Sequence, residues 1–373
     1  MEENLYRKLQ QHLDRMPIPF PATASGIEIR LLKRLFSPAE AEVALALSMA
    51  PEAVATIRKR VRSRPTAEEL AHTLSAMADR GLIERTAGVH PRFGKSALAI
   101  GMYERQLPHL TAEFQRDVEE YMREAFGAAL HSRTRAPQMR TVPVNADITP
   151  ERGVVSYDDI RGFVRTTAGP FAVMDCICRK GADLTGHSCR QTSLRSSCLT
   201  FGPAAEGMVA SGAARFITRE QMLQALDAAD REGLVLQPQN TTRPLFVCCC
   251  CGCCCGVLST AKRLPEPATY FAASYHAVVD PELCSACGTC ESRCQMEAVT
   301  AGDAASSVDL ARCIGCGLCV TTCTTGAMTL ELNATRKKPS ASTSALYLRI
   351  YRDRFGTFEA ARALGKAILG RQI

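Results

Sequence analysis

Cysteine constrains the fold of this chain more than any other residue type. Nineteen cysteines occur in 373 residues, and they fall into three dense groups. The last group reads Cys-x2-Cys-x2-Cys-x3-Cys twice, and the second run follows the first after 29 residues. Its members are Cys284, Cys287, Cys290, Cys294, Cys313, Cys316, Cys319 and Cys323. Four thiolates that converge from a short, tightly turning stretch are what an iron–sulfur cubane requires.

This doubled run is typical of bacterial two-cluster ferredoxins, in which the fourth cysteine of each run ligates the other cluster. We therefore expect two [4Fe-4S] clusters. The predicted ligands of the first are Cys284, Cys287, Cys290 and Cys323. The predicted ligands of the second are Cys313, Cys316, Cys319 and Cys294. Zinc is disfavoured because zinc sites normally separate their cysteine pairs by a longer spacer. Proline usually follows the fourth cysteine of such runs, but here Gln295 and Thr324 do.

Eleven further cysteines lie upstream, between residues 176 and 255. Cysteine is a good small core residue, but core packing explains only one or two of them. Eight extended residues project their side chains to alternating faces, so one cubane cannot use them all. We expect one or two additional iron–sulfur clusters, or a less regular polynuclear cluster. The predicted ligands are Cys176, Cys178, Cys189, Cys198, Cys248, Cys250, Cys251, Cys253, Cys254 and Cys255.

Positive charge accompanies the upstream cysteines. Arg179 and Lys180 follow Cys178 directly, and Arg190 follows Cys189. Cations beside a cysteine lower the pKa of its thiol and favour the thiolate that binds metal. These residues would also offset the negative charge of a thiolate-bound cluster.

The chain resembles a poorly characterised family of 4Fe-4S dicluster-domain proteins with a winged-helix-like N-terminal region. The resemblance runs from about residue 25 to 335 and is carried by residues 68–83, 101–107, 140–144, 176–179, 198–202, 248–255 and the doubled run. The family loop commonly reads Cys-Asn-Cys-Cys-x-Cys-Cys-Cys, so this chain departs from it at Cys249, which we do not count as a ligand. The resemblance implies a ferredoxin-type electron carrier or an oxidoreductase component, and it names no substrate.

Local patterns predict an α+β fold. We expect a helical winged-helix-like domain over 1–131, a linker over 132–153, a cysteine-rich domain over 154–275 and a two-cluster ferredoxin domain over 276–332. Residues 333–373 would form a tether and an amphipathic C-terminal helix.

Capping patterns and apolar periodicity place several elements within these domains. Ser37 with Pro38, and Thr66 with Glu69, have the spacing of helix N-caps. Predicted helices are about 67–80, 110–129, 219–232 and 345–369, and predicted strands are 82–85 and 97–100.

Composition and missing motifs limit the function classes. The net charge is only +7, Trp is absent and aromatics make up 6%, which disfavours a nucleic-acid surface. No apolar run is long enough for a transmembrane helix, and no export signal is visible, so we expect a cytoplasmic protein. No Gly-x-Gly-x-x-Gly at a strand-to-helix turn and no Walker motif occur. A flavoprotein or another reductase would therefore be a redox partner, and the chain could form a homo-oligomer.

Three functions follow from the sequence. The first is iron–sulfur electron transfer between the ferredoxin clusters and the upstream cysteine site. The second is a substrate-reducing oxidoreductase whose active site lies among Cys176–Cys255. The third is a DNA-binding redox sensor, favoured only by a basic run that comprises Arg58, Lys59, Arg60, Arg62 and Arg64.

Overall fold

The computed structural model describes residues 2–144, 156–368 and 371–372. Residues 145–153 of the predicted linker lie outside this part of the chain. Helices and strands mix throughout, which confirms the α+β class. No helix in the described ranges combines the length and the apolar character that crossing a bilayer requires.

The helices are short except at the C-terminus, where α14 is interrupted at Gly356 by a backbone φ of 85°. Their bounds are α1 Glu2–Leu13, α2 Ile27–Leu35, α3 Pro38–Leu45, α4 Val54–Arg58, α5 Ala67–Asp79, α6 Ala112–Tyr121, α7 Gly127–Ser132, α8 Ile160–Thr166, α9 Ile177–Leu184, α10 Gly202–Ala210, α11 Arg219–Arg231, α12 Gly256–Ala261, α13 Thr289–Arg293 and α14 Thr343–Ile368. A π-helical turn, Met122–Phe126, joins α6 to α7, and 3-10 helices span Glu104–His109 and Pro267–Tyr270.

The strands form one five-stranded sheet and several two-stranded ones. Their bounds are β1 Ile83–Arg85, β2 Phe93–Lys95, β3 Arg140–Thr141, β4 Phe171–Asp175, β5 Ser196–Phe201, β6 Ala214–Ile217, β7 Val235–Pro238, β8 Phe246–Cys250, β9 Ala272–Ala273, β10 Tyr275–Val279, β11 Val299–Thr300, β12 Ser307–Val308 and β13 Met328–Leu332. The large sheet is antiparallel with the order β6-β4-β5-β8-β7.

The chain divides into two compact units. Unit 1 comprises residues 1–134, 207–213 and 347–373, and unit 2 comprises 135–206 and 214–346. Every cysteine of the chain therefore belongs to unit 2.

Unit 1 confirms the N-cap predicted at Ser37 and the capping box predicted at Thr66. Ser37 caps α3 and Thr66 caps α5, each in reciprocal hydrogen bonds with the glutamate three residues on. One strand prediction was wrong, because β1 pairs with β2 rather than with residues 97–100. The backbone oxygens of Ala97 and Leu98 accept local hydrogen bonds instead, which fold that segment into a turn. Unit 1 thus contains helices and a hairpin, and its winged-helix character stays a prediction.

The large sheet of unit 2 has two different faces, because side chains alternate along each strand. One face is apolar and includes Val173, Leu199 and Val247, which share a buried cluster with Leu226 of α11. Cys198 and Cys248 sit opposite each other on β5 and β8, one residue out of phase with Leu199 and Val247. The second face of the sheet therefore presents thiols.

Candidate metal centres

The doubled cysteine run surrounds two cavities. The outer cavity, about 320 Å³ with its solvent-open part included, is lined by four thiols: Cys284, Cys287, Cys290 and Cys323. The inner cavity, about 370 Å³ on the same basis, is lined by four others: Cys294, Cys313, Cys316 and Cys319. In each case three thiols come from one run and one comes from the other run. These are the two sets that crossed ligation predicts.

Backbone N–H groups point at the sulfur atoms of these cavities. Ser306 donates to Cys284 Sγ at 3.4 Å, and Ala298 donates to Cys294 Sγ at 3.2 Å. Ala277 donates to Cys313 Sγ at 3.3 Å. Donors of this kind stabilise thiolate charge, as the ligands of an iron–sulfur cluster require. The all-sulfur donor set and the room between the thiols therefore fit a [4Fe-4S] cluster in each cavity.

The two cavities differ in exposure. Cys287 of the outer cavity is exposed, and a hydrogen bond with Thr289 lowers the pKa of its thiol. Burial raises the pKa of Cys316 in the inner cavity to about 12 and raises that of Cys319 as well. The one exposed thiol among these eight therefore lines the outer cavity.

The structure divides ten of the upstream cysteines into two sites. The first, which we call the four-cysteine site, contains Cys189, Cys251, Cys253 and Cys254. Their sulfur atoms all lie within 4.8 Å of one another. Cys189 Sγ is 3.6 Å from the sulfurs of both Cys251 and Cys253. Cys189 therefore lies in a different site from Cys176, Cys178 and Cys198, which are its neighbours in the sequence.

The second group, the six-cysteine site, comprises Cys176, Cys178, Cys198, Cys248, Cys250 and Cys255. Cys176 lies between Cys178 and Cys198, and contact with their thiols lowers the pKa of Cys176. The chain of sulfur contacts continues from Cys198 through Cys248 to Cys250 and then to Cys255. The pairing of β5 with β8 creates this arrangement, because it places Cys198 opposite Cys248.

Arg179 is a buried cation between the two upstream sites. Its side chain is fully buried, and its guanidinium donates to the backbone oxygen of Cys249 at 3.2 Å and to the Ser197 hydroxyl. Burial opposes its charge, but nearby thiolates, that of Cys176 first, raise the pKa of Arg179 above its ordinary value. Because arginine stays protonated in proteins, this cation favours negative sulfur around it.

Cys249 belongs to neither site. It lies between Cys248 and Cys250 on β8, so its side chain points to the opposite face of the sheet. It is buried in the apolar cluster, and burial raises the pKa of its thiol to about 12. Cys249 therefore has the environment of a core residue.

Sequence reasoning missed a polar group beside the six-cysteine site. Gln237 is opposite Cys248 on the neighbouring strand and is fully buried, yet neither its amide nitrogen nor its amide oxygen has a hydrogen-bond partner. The bridges Met139–Gln239 and Val142–Leu236 set Thr141 opposite Gln237, and the Thr141 hydroxyl is likewise buried without a partner. Buried polar groups normally find partners, so these two are available to a water molecule or a ligand.

The upstream cysteines and the inner cavity share one buried core. Cys294, Cys313 and Cys316 contact the same apolar cluster as Cys189 and Cys254. Two hydrogen bonds also connect these segments within unit 2. Thr321 donates to Asp230 at 3.1 Å, and the Val144 N–H donates to the backbone oxygen of Cys316 at 3.0 Å.

Family comparison agrees with this geometry. Residues 283–328 match the family model of the 4Fe-4S dicluster domain, and no curated protein matches the chain. The matched segment contains all eight thiols of the outer and inner cavities. Residues 283–328 therefore form a 4Fe-4S dicluster domain, and the chemistry that such a domain carries is iron–sulfur electron transfer.

Proposed function

We propose that this protein passes single low-potential electrons between the dicluster domain and a redox-active metal centre at the six-cysteine site. The observation that carries the proposal is the shared core. Thiols of the inner cavity and thiols of the upstream sites contact one apolar cluster within a single compact unit. A [4Fe-4S] cluster supplies a one-electron couple when it is bound.

The positions of the thiols support a direction for electron transfer through the dicluster domain. Exposed Cys287 marks the edge of the outer cavity that a redox partner can approach. Cys313 and Cys316 of the inner cavity contact the apolar cluster that the upstream thiols share. A soluble reductase or flavoprotein would therefore exchange electrons at the outer cavity, and the six-cysteine site would receive or donate them inside the protein.

The six-cysteine site has the charge balance that a redox centre needs. Arg179 lies among its thiols with neutral hydrogen-bond partners, so it offsets the negative charge of metal-bound sulfur. Its Nε is buried without a partner and remains able to donate to a bound group.

The test is an anaerobic reductive titration of the full chain, combined with iron and acid-labile sulfide analysis. The dicluster domain alone accounts for about 8 Fe and takes up about two electrons per chain. We expect the full chain to contain more iron and to take up more electrons than the dicluster domain alone accounts for. The Cys198→Ser variant should lose only this additional iron and electron uptake. An endpoint at about 8 Fe and two electrons would overturn the role of the six-cysteine site.

A second candidate is reduction of a small substrate at the six-cysteine site, with the dicluster domain as its electron supply. The specific support is Gln237, whose buried amide has no partner beside Cys248. Its free N–H and C=O could position a polar substrate against the metal centre. Substrate binding should shift the electron paramagnetic resonance spectrum of the reduced protein, and Gln237→Leu should abolish that shift. A spectrum that no small molecule perturbs would favour a pure electron carrier.

A further inference from the structure

We propose that the four-cysteine site binds one tetrahedral metal ion, of the zinc class, rather than part of an iron–sulfur cluster. The proposal starts from the spacing of its sulfur atoms. Cys253 Sγ is 3.6 Å from the sulfurs of both Cys189 and Cys254, and Cys251 Sγ is 3.6 Å from that of Cys189.

These distances match a single central ion. Zinc–thiolate bonds of about 2.3 Å in a tetrahedron place neighbouring sulfurs about 3.8 Å apart. A cubane puts four irons and four sulfides between its ligands, so its cysteine sulfurs must stand much further apart. The limit of 4.8 Å across the four-cysteine site leaves no room for such a core.

The same chain supplies an internal comparison. The thiols of the dicluster domain line two cavities whose empty space, with the part open to solvent included, is about 320 and 370 Å³. Within the described residues, the compact sulfur group that could hold a single ion is the four-cysteine site. The two sets of four thiols in the dicluster domain therefore line cavities, whereas the four sulfurs of the four-cysteine site lie close together.

Backbone donors around the four-cysteine site resemble the outer shell of a structural zinc site. Backbone N–H groups of Gln191 and Thr192, in the loop after Cys189, lie near its sulfur. The backbone N–H of Arg190 lies near the sulfur of Cys253. These donors stabilise the thiolates that a metal needs, and four protein ligands would close the coordination shell.

The position of the site indicates a structural purpose. Cys189 lies in the loop between α9 and β5, and the other three ligands lie in the turn between β8 and α12. Ligands of the six-cysteine site flank both segments: Cys178 in α9 and Cys198 in β5 flank the first, and Cys250 in β8 and Cys255 at the start of α12 flank the second. A metal ion bound here would join the two segments and fix the six thiols relative to one another.

Metal analysis of the full chain, purified without oxygen from a zinc-containing culture, tests this proposal. We expect about one zinc per chain and zinc K-edge absorption that shows four sulfurs at about 2.3 Å. Cys189→Ser should lose at least 80% of that zinc while dicluster iron and sulfide stay constant. Cys189→His should keep it, because histidine also binds zinc. Cys249→Ser, which alters a buried thiol outside the site, is the matched control.

Two results would overturn the proposal. One is a Cys189→Ser variant that loses iron and acid-labile sulfide in equal amounts, which would indicate a cluster. The other is a zinc-free wild-type chain whose metal content does not change in either Cys189 variant. A single iron without sulfide, bound by four sulfurs and lost in Cys189→Ser, would support the mononuclear site with iron in place of zinc.

Discussion

The backbone N–H of Gly252 donates to the side-chain Oε1 of Gln295 at 2.8 Å. Gly252 lies between two ligands of the four-cysteine site, and Gln295 directly follows Cys294 of the inner cavity. Gln295 therefore occupies a position where ferredoxins of this type usually carry proline. Proline has no side-chain hydrogen-bond acceptor. Glutamine at this position therefore permits a hydrogen bond between the loop of the four-cysteine site and the segment that lines the inner cavity.

The first prediction concerns the close approach at Gly252. A Cβ there would lie 2.2 Å from the Gln295 backbone oxygen, so Gly252→Ala must push the two segments apart. We expect a loss of about 1–3 kcal/mol in unfolding free energy and slower reduction of the six-cysteine site after the dicluster domain is reduced. Denaturant unfolding and rapid-mixing spectroscopy measure these effects. Gly207→Ala is the control, because a Cβ at Gly207 meets nothing within 4 Å. Wild-type kinetics in Gly252→Ala would contradict the prediction.

The second prediction separates the two clusters of the dicluster domain. Gly315 and Ala286 are equivalent in the two runs, and both have positive φ, 62° and 53°. A Cβ at Gly315 would lie 2.0 Å from the Tyr275 backbone oxygen. Gly315→Ala should therefore distort the inner cavity and lose about 4 Fe per chain. Ala286→Gly, the matched change at the outer cavity, should retain its iron. Equal iron loss in both variants would show that this steric difference is unimportant.

The third prediction distinguishes Cys249 from its neighbours on β8. Cys249→Ala should leave the iron and sulfide content unchanged and should cost about 1 kcal/mol through lost apolar contacts. Cys250→Ala should instead remove metal from the six-cysteine site. Metal analysis and thermal unfolding of the two variants give the comparison. Loss of metal in Cys249→Ala would identify Cys249 as a ligand after all.

The fourth prediction concerns the buried charge of Arg179. Arg179→Met keeps much of the apolar volume but removes the cation from the thiols of both upstream sites. We expect weaker metal retention at the six-cysteine site, with the dicluster domain intact, when the protein is challenged with a chelator. Arg179→Lys should retain metal better than Arg179→Met because it keeps the charge, although it cannot reproduce the planar donor geometry. Equal retention in both variants would argue against a role for the charge.

The fifth prediction is a pH dependence in unit 1. Lys95 is buried beside His12, and burial first, then the charge of Arg15, lowers the pKa of Lys95 from 10.5 to about 7. The unfolded chain therefore holds a proton between pH 7 and 10.5 that the folded chain lacks. Stability should rise with pH in this window, by at most about 1.4 kcal/mol per pH unit.

Lys95→Met removes the titrating group and should flatten this dependence. Thermal unfolding of wild type and variant at pH 7 and pH 9 measures the difference. Parallel pH dependences in the two proteins would show that Lys95 does not titrate in this range.

The basic run that favoured DNA binding is partly used within unit 1. Arg60 forms an ion pair with Glu52, and Arg58 donates to the backbone oxygen of Pro65. These contacts reduce the positive charge that remains available to a phosphate backbone. The redox-sensor hypothesis still rests on the sequence pattern alone.

The sequence by itself determined the dicluster domain. Three thiols of each set are separated by two residues, and a spacing this short fixes their convergence. The fourth thiol of each set comes from the other run, and the symmetry of the repeat predicts that exchange. The helix caps at Ser37 and Thr66 could also be predicted from the sequence, because the hydrogen bonds of a cap form within one helical turn. The family resemblance set Cys249 apart from the predicted ligands, and the alternation of side chains along β8 gives the physical reason.

Only the tertiary structure decided how the upstream cysteines divide. Cys189 joins Cys251, more than sixty residues away, because the loops after α9 and β8 come together when β5 pairs with β8. Gln237 and Thr141 lie on the same face of the sheet as Cys248. No local sequence pattern predicts that the strands that carry these residues pair. Such contacts depend on strand order and register, which a single sequence leaves open, because many pairings bury the same apolar residues equally well.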